Sequence, residues 1–309
     1  MNKYAIIVDS SSGLTKDLRE RFSIDDQVIG FVIYPDGTSI HSDTDWENTT
    51  PEAYFESMAK DKLIYNTSAA NVTEIEQVYR KYLDQGIDVL ALALSSGLSA
   101  MYPNSLTVKE KLEKEYPDRK IAVIDTFRFC TAAGLLAVKA SENRANGMSI
   151  EENAKWLEEN RNRVHEAGPM DDLHFLARKG RVGKAAAFFG TMAGVKPIGD
   201  FNGKGLTEVI AKGKGYKKAM EMSLGYLKGT ITNPEEQIVF VSHSLRQAQA
   251  EAYKQAIIDA VHPKEVIIGW VDMSSGANMG PGLCAAFYFG KPISEDMVEE
   301  KALMAELAK

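Results

Sequence analysis

The chain has 309 residues, 44% hydrophobic and 26% charged, with a formal net charge of −7. That length exceeds one ordinary core and suits two domains, and the apolar content excludes a disordered chain. The acidic balance excludes a nucleic-acid footprint, and no apolar window reaches the ~18 residues that a bilayer span needs.

Taken in chain order, residues 4–9 predict a buried strand, which meets a charge too soon to be the apolar region of a signal peptide. The expected location is therefore cytoplasmic. The turn Ser10-Ser11-Ser12-Gly13 and a helix near residues 15–22 follow. Residues 28–34 and 38–41 flank Pro35-Asp36-Gly37, a hairpin signal. Thr50-Pro51 opens a helix, with an N-cap and then proline at the first helical position. Residues 87–94 and 120–125 are apolar enough for buried parallel strands, and each runs into a polar turn and a helix. Ser149-Ile150-Glu151-Glu152 is a capping box that starts a helix expected to reach about residue 166.

After Gly168-Pro169 the pattern changes. Residues 195–201 and 206–212 bracket Asn202-Gly203-Lys204-Gly205, another hairpin signal. Helices are expected at 216–228 and 245–261, with strands at 237–242 and 265–272. The fold class is α/β, with an N-terminal parallel-sheet, Rossmann-like domain over 1–165 and a C-terminal mixed-sheet α/β domain over 166–309.

Several familiar chemistries lack their motifs. Gly180-Arg181-Val182-Gly183-Lys184-Ala185 ends in the wrong residue for a P-loop, and no G-x-S-x-G elbow occurs. The five histidines have no metal-ligand spacing, so neither a metal nor a cofactor is expected. Cys130 and Cys284 read as buried free thiols.

What remains is a set of hydroxyl and glycine clusters. Ser95-Ser96-Gly97-Leu98-Ser99 lies between a strand and a helix, where unpaired N–H groups and hydroxyls suit an anion such as a carboxylate. A plain serine N-cap has the same local sequence. Asn66-Thr67-Ser68 leaves the same two readings open, and both clusters are expected at one edge of one sheet. Asn278-Met279-Gly280-Pro281-Gly282 reads as a turn that lets backbone approach a ligand closely, or as a turn alone. Arg181 is either an anion contact or, with Lys179, part of a solvated basic face.

In this order the pieces resemble the DegV family. The match is carried by Ile7-Val8-Asp9-Ser10, Thr67-Ser68, Ser95-Ser96-Gly97-Leu98-Ser99 and Asp125-Thr126. It continues through Leu176-Ala177-Arg178-Lys179-Gly180-Arg181, Lys196-Pro197-Ile198 and Gly280-Pro281-Gly282. The resemblance implies two α/β domains and one long-chain fatty acid as ligand, with no catalytic residue in the chain itself. It also implies a partner, a separate fatty acid kinase that phosphorylates the presented carboxylate for phospholipid synthesis. Thr67 and Ser96 match the family's carboxylate-binding hydroxyls, and Ser68, Gly97 and Arg181 match the surrounding pattern. Asn278 and Gly280 fall in the family's glycine-rich turn, which commonly begins with histidine. Asparagine keeps a donor but carries no positive charge, which bears on delivery to the kinase. Lys214 likewise stands where many members have arginine. The expected apolar lining comes from residues 185–193, Ile198, Phe201 and residues 283–289. The rival readings are a Ser96- or Thr67-centred acyl hydrolase or transferase, a carrier of another amphiphile, and an interaction protein without a ligand.

Overall fold

A computed structural model describes residues 4–171, 174–178, 180 and 194–309. Backbone contacts divide the chain into two compact units. The first comprises Met1–Asn48, Tyr65–Arg161 and Asp272–Ser274; the second comprises Thr49–Ile64, Asn162–Val271 and Ser275–Lys309.

The first unit is built on a parallel sheet in the order β2-β1-β6-β7. Its strands are Asp26–Val28 (β2), Tyr4–Asp9 (β1), Asp88–Ala93 (β6) and Ile121–Asp125 (β7). Every residue of β1 and β6 is buried, which explains why they read as continuous rather than alternating apolar runs. Helices α1 (Lys16–Arg21), α3 (Val72–Leu83), α4 (Met101–Glu115), α5 (Thr131–Ala145) and α6 (Ile150–Asn160) complete this unit. Ile7, Ala91 and Val123 meet Ile75, Tyr79, Val108 and Leu112 in one core. From β1 the chain crosses to β2 on one side, and from β6 it crosses to β7 on the other. The carboxyl ends of β1 and β6 therefore flank a topological switch point, where open α/β sheets bind ligands.

A second, antiparallel sheet in this unit has the order β4-β3-β5, from Ser39–His41 (β4), Phe31–Ile33 (β3) and Asn66–Ser68 (β5). The sequence run expected as one strand over 28–34 is thus two strands in two sheets, parted at Gly30.

In the second unit a mixed sheet has the order β12-β11-β13-β8, from Glu265–Trp270, Ile238–His243, Cys284–Phe289 and Val164–Ala167. β11 and β12 are parallel, and β13 runs antiparallel to both β11 and β8. The hairpin of β9 (Val195–Phe201) and β10 (Thr207–Lys214) sits where its turn signal placed it. Helices α2 (Pro51–Ala59), α7 (His174–Arg178), α8 (Gly215–Thr230), α9 (Gln247–Val261), α10 (Met273–Met279) and α11 (Val298–Leu307) belong to the chain's remaining elements. One face of the sheet packs Ala167, Val239, Val241, Ala286 and Tyr288 against Met222, Tyr226, Tyr253 and Ile257 of α8 and α9. Ile198, expected in a ligand lining, belongs to this core.

The helix opened by Ser149 has its full capping box but ends at Asn160, not near residue 166. Val164–Ala167 is instead a fully buried edge strand. Among the described residues no helix is long and apolar enough to cross a membrane.

Candidate functional site

At the switch point in the first unit, Asp9 ends β1 and is buried. Its Oδ1 accepts from Ser11 N at 2.8 Å and from the Ser11 hydroxyl, and its Oδ2 accepts from Leu94 N. One carboxylate thereby ties the carboxyl end of β1 to that of β6. Burial pushes the Asp9 carboxyl above its ordinary range, against the opposing pull of these hydrogen bonds.

Residues 95–99 then close on themselves. Gly97 N donates to Ser95 Oγ at 3.3 Å, and Leu98 N and Ser99 N donate to Ser95 O at 3.0 and 3.1 Å. Ser96 N donates to Asp125 Oδ1 at 3.1 Å, and that same oxygen accepts from Phe127 N at 3.2 Å. The loop does not offer the free amides expected of it, because its own N–H groups are already paired. What it offers is the Ser96 hydroxyl, which is exposed and has no hydrogen bond among the described residues. Ser96 is also no N-cap; that position belongs to Ala100, with Ser99 Oγ accepting from Met101 N at 3.2 Å. Gly97 beside it is exposed.

Thr67 and Ser68 do not stand at the end of the same sheet as Ser96, contrary to expectation. They lie within β5 of the antiparallel sheet, with Thr67 opposite Val32 and Ser68 opposite Phe31. Neither caps α3; Asn71 does, with Glu74 completing a capping box. Thr67 is half-buried on the face it shares with buried Val32, whereas Ser68 is exposed and donates to Ala69 O at 3.2 Å. The two regions are nonetheless tied, because Asn104 of α4 donates to Ala70 O at 2.9 Å. This holds the chain after β5 against the helix that follows the Ser96 loop.

A chain of hydroxyls, of which the sequence singled out Ser10 alone, supports this edge. Ser274 Oγ donates to Ser42 Oγ at 2.8 Å, and Ser42 Oγ lies 3.2 Å from Ser10 Oγ, which accepts from Gly30 N. Single serines in turns carry no periodic signal, so only the tertiary structure reveals the chain. A Cβ built on Gly30 falls 2.9 Å from Ser68 O, and the backbone cannot yield there as a flexible side chain would. Gly30→Ala is accordingly expected to push β5 from β3 and destabilise the protein by about 1–3 kcal/mol. Urea denaturation checks this, and an unchanged midpoint would mean that β5 has room to move.

In the second unit, Asn278 lies near the end of α10, and Gly280 and Gly282 follow with φ of +75° and +100°. The turn is tightly laced: Ser244 Oγ donates to Gly280 O at 3.0 Å and accepts from Leu283 N at 3.0 Å. A Cβ on Gly280 would lie 2.3 Å from the Phe175 ring, and one on Gly282 would lie 2.1 Å from the Asp171 carboxylate. Asp171 in turn pairs with Lys196 at 2.8 Å and with Arg246. Glycine is thus required here on both conformational and steric grounds. Arg181 and residues 185–193 lie outside the described residues.

The second unit also holds a buried polar network that the sequence did not suggest. Asp200 Oδ2 contacts His165 Nδ1 at 2.6 Å and accepts from the Tyr226 hydroxyl at 2.7 Å. Its Oδ1 accepts from Glu166 N and Phe201 N, each at 2.7 Å. Among the described residues no cluster of side chains is arranged to hold a metal ion.

Comparison with known proteins gives a consistent result. The profile of the DegV family, described as an uncharacterised protein family, matches residues 3–291. A DegV domain-containing protein of Clostridium perfringens is 33% identical over 290 residues, covering 94% of this chain and 98% of the relative. A DegV family protein of Thermus thermophilus, described for its fatty acid binding, superposes with a TM-score of 0.82 at 25% identity. That match covers 93% of this chain and 99% of the other. DegV of Bacillus subtilis, described as a fatty acid binding protein, gives 0.79 at 25% identity, covering 94% and 100%.

Proposed function

This chain belongs to the DegV family, and from that premise we propose that it binds one long-chain fatty acid and holds the carboxylate with the hydroxyls of Thr67 and Ser96. Ser68, Gly97, Arg181, Asn278 and Gly280 are the further candidate ligand-binding residues, and a separate fatty acid kinase phosphorylates the presented carboxylate. The observation that carries this reading is the Ser96 loop. Its amides are paired, in part within the loop and in part with Asp125 of β7, and its exposed Ser96 hydroxyl follows β6, one of the two strands that flank the switch point of the parallel sheet. The Thermus and Bacillus proteins, similar over nearly their whole length and described as binding fatty acids, support the ligand class.

The physical terms divide the work. Burying a tail of about 14 methylenes contributes roughly 11 kcal/mol at ~0.8 kcal/mol each. A hydrogen bond to the charged head group nets ~1.5–3 kcal/mol. The tail sets affinity, and the hydroxyls set which end faces outward. Thr67→Ala and Ser96→Ala are each expected to weaken fatty-acid affinity about tenfold, one hydrogen bond's worth. Acyl phosphate formation by added kinase should fall further, because orientation suffers as well as occupancy. Competition against a fluorescent fatty acid and a coupled phosphorylation assay measure the two effects. Normal binding and normal phosphorylation in both variants would refute the head-group assignment. Turnover of acyl substrates by the purified chain alone would instead favour the hydrolase or transferase reading, with Ser96 as nucleophile.

A further inference from the structure

Glu166 is a buried group that the carrier reading does not use. It lies on β8 opposite Phe287 of β13, which is itself opposite Phe240 of β11. Residues directly across antiparallel strands share a face, so these three form one row. Alternation places the row on the face turned away from the core of Ala167, Ala286 and Tyr288. All three side chains are buried. Neither carboxyl oxygen of Glu166 has a hydrogen-bond partner among the described residues. The nearby polar groups are already engaged: Asp200 takes the hydrogen bonds of His165, Tyr226, Phe201 and the Glu166 backbone itself. Native interiors rarely leave a carboxyl in that condition, since the lost hydration is not recovered.

Burial, reinforced by the Asp200 carboxylate, pushes the Glu166 carboxyl up to about 8. At neutral pH it is therefore mostly protonated and offers both an O–H donor and acceptor oxygens. An ionised ligand group would be repelled by Asp200, whereas a neutral hydroxyl or carbonyl is matched in both roles. The Phe240–Phe287 row beside it suits methylenes.

We propose that Glu166 is a polar subsite within the second unit that takes a hydroxyl or carbonyl of an acyl chain, so that the preferred ligand is an oxygenated long-chain fatty acid. This rests on the fatty-acid reading above. Glu166 then acts as a specificity-determining residue, discriminating by the cost of leaving a buried polar group unpaired.

The test measures dissociation constants of lipid-stripped protein for stearate, 10-hydroxystearate and 12-hydroxystearate. Wild type is expected to bind at least one hydroxystearate about tenfold more tightly than stearate. Glu166→Leu should reverse that order, and Glu166→Gln, which keeps a donor and an acceptor, should preserve it. Should Glu166→Leu not fold, the wild-type and Glu166→Gln preferences alone decide. Tight stearate binding without preference in wild type would overturn the subsite and leave the carrier reading intact. No binding of any of the three would overturn both.

Discussion

Asp200→Ala is expected to destabilise the protein by about 3–5 kcal/mol, the cost of removing one member of a buried charged network. Both carboxylate oxygens are in use, and the substitution removes an acceptor from four groups at once: His165 Nδ1, the Tyr226 hydroxyl, which also lies 3.3 Å from that nitrogen, and the amides of Glu166 and Phe201. His165 cannot turn away to recover, because Nε2 lies 2.7 Å from Lys291 O and its ring stacks on Tyr288 at 5.6 Å. The network also joins β8 to β9 and α8, so its loss loosens three elements. Tyr226→Phe removes a single donor and should cost only about 0.5–1.5 kcal/mol. Urea denaturation followed by circular dichroism measures both. A loss below about 1 kcal/mol for Asp200→Ala would mean that water or a shifted side chain replaces the carboxylate.

The second large effect is a pH dependence. The Glu166 carboxyl rises from an ordinary 4.5 to about 8 on folding, because burial disfavours the charged form and Asp200 adds repulsion. The folded state therefore binds a proton that the unfolded state releases between those values. Stability from this group is fully present below about pH 4.5, declines as pH rises, and is lost above about pH 8. At about 1.4 kcal/mol per unit, the full span amounts to roughly 4–5 kcal/mol. Glu166→Gln cannot ionise and should abolish this slope. Urea midpoints of wild type and variant between pH 5 and 8.5 measure it. Parallel curves would show that Glu166 ionises in the folded state without penalty.

The same two residues show where the sequence was opaque. The β8 segment reads Val-His-Glu-Ala, and two polar residues beside a helical pattern look like the continuation of that helix. Only the partners from β9, α8 and the loop after β13 make His165 acceptable in a core, and no local pattern announces partners so distant in sequence. Elements with local turn or cap chemistry were legible. Pro35-Asp36-Gly37 lies between β3 and β4, Asn202–Gly205 connects β9 and β10, Thr50-Pro51 starts α2, and Ser149 caps α6. The strands of the parallel sheet announced themselves because both faces are buried. The site was legible in part. The Ser96 loop does follow a strand and precede a helix, but its amides bind Asp125 and Ser95 instead of standing free. The placement of Thr67 was missed for a different reason. A three-residue strand of Asn, Thr and Ser has no apolar alternation, and its pairing with β3 is fixed by tertiary structure alone.

On the carrier reading, this chain holds one long-chain fatty acid. Organic extraction of the purified protein, with lipids identified by mass spectrometry and stoichiometry read by native mass spectrometry, tests it most directly. About one such acid per chain is expected, oxygenated where the growth medium supplies it. A lipid-free protein that no long-chain fatty acid stabilises against heat would contradict it.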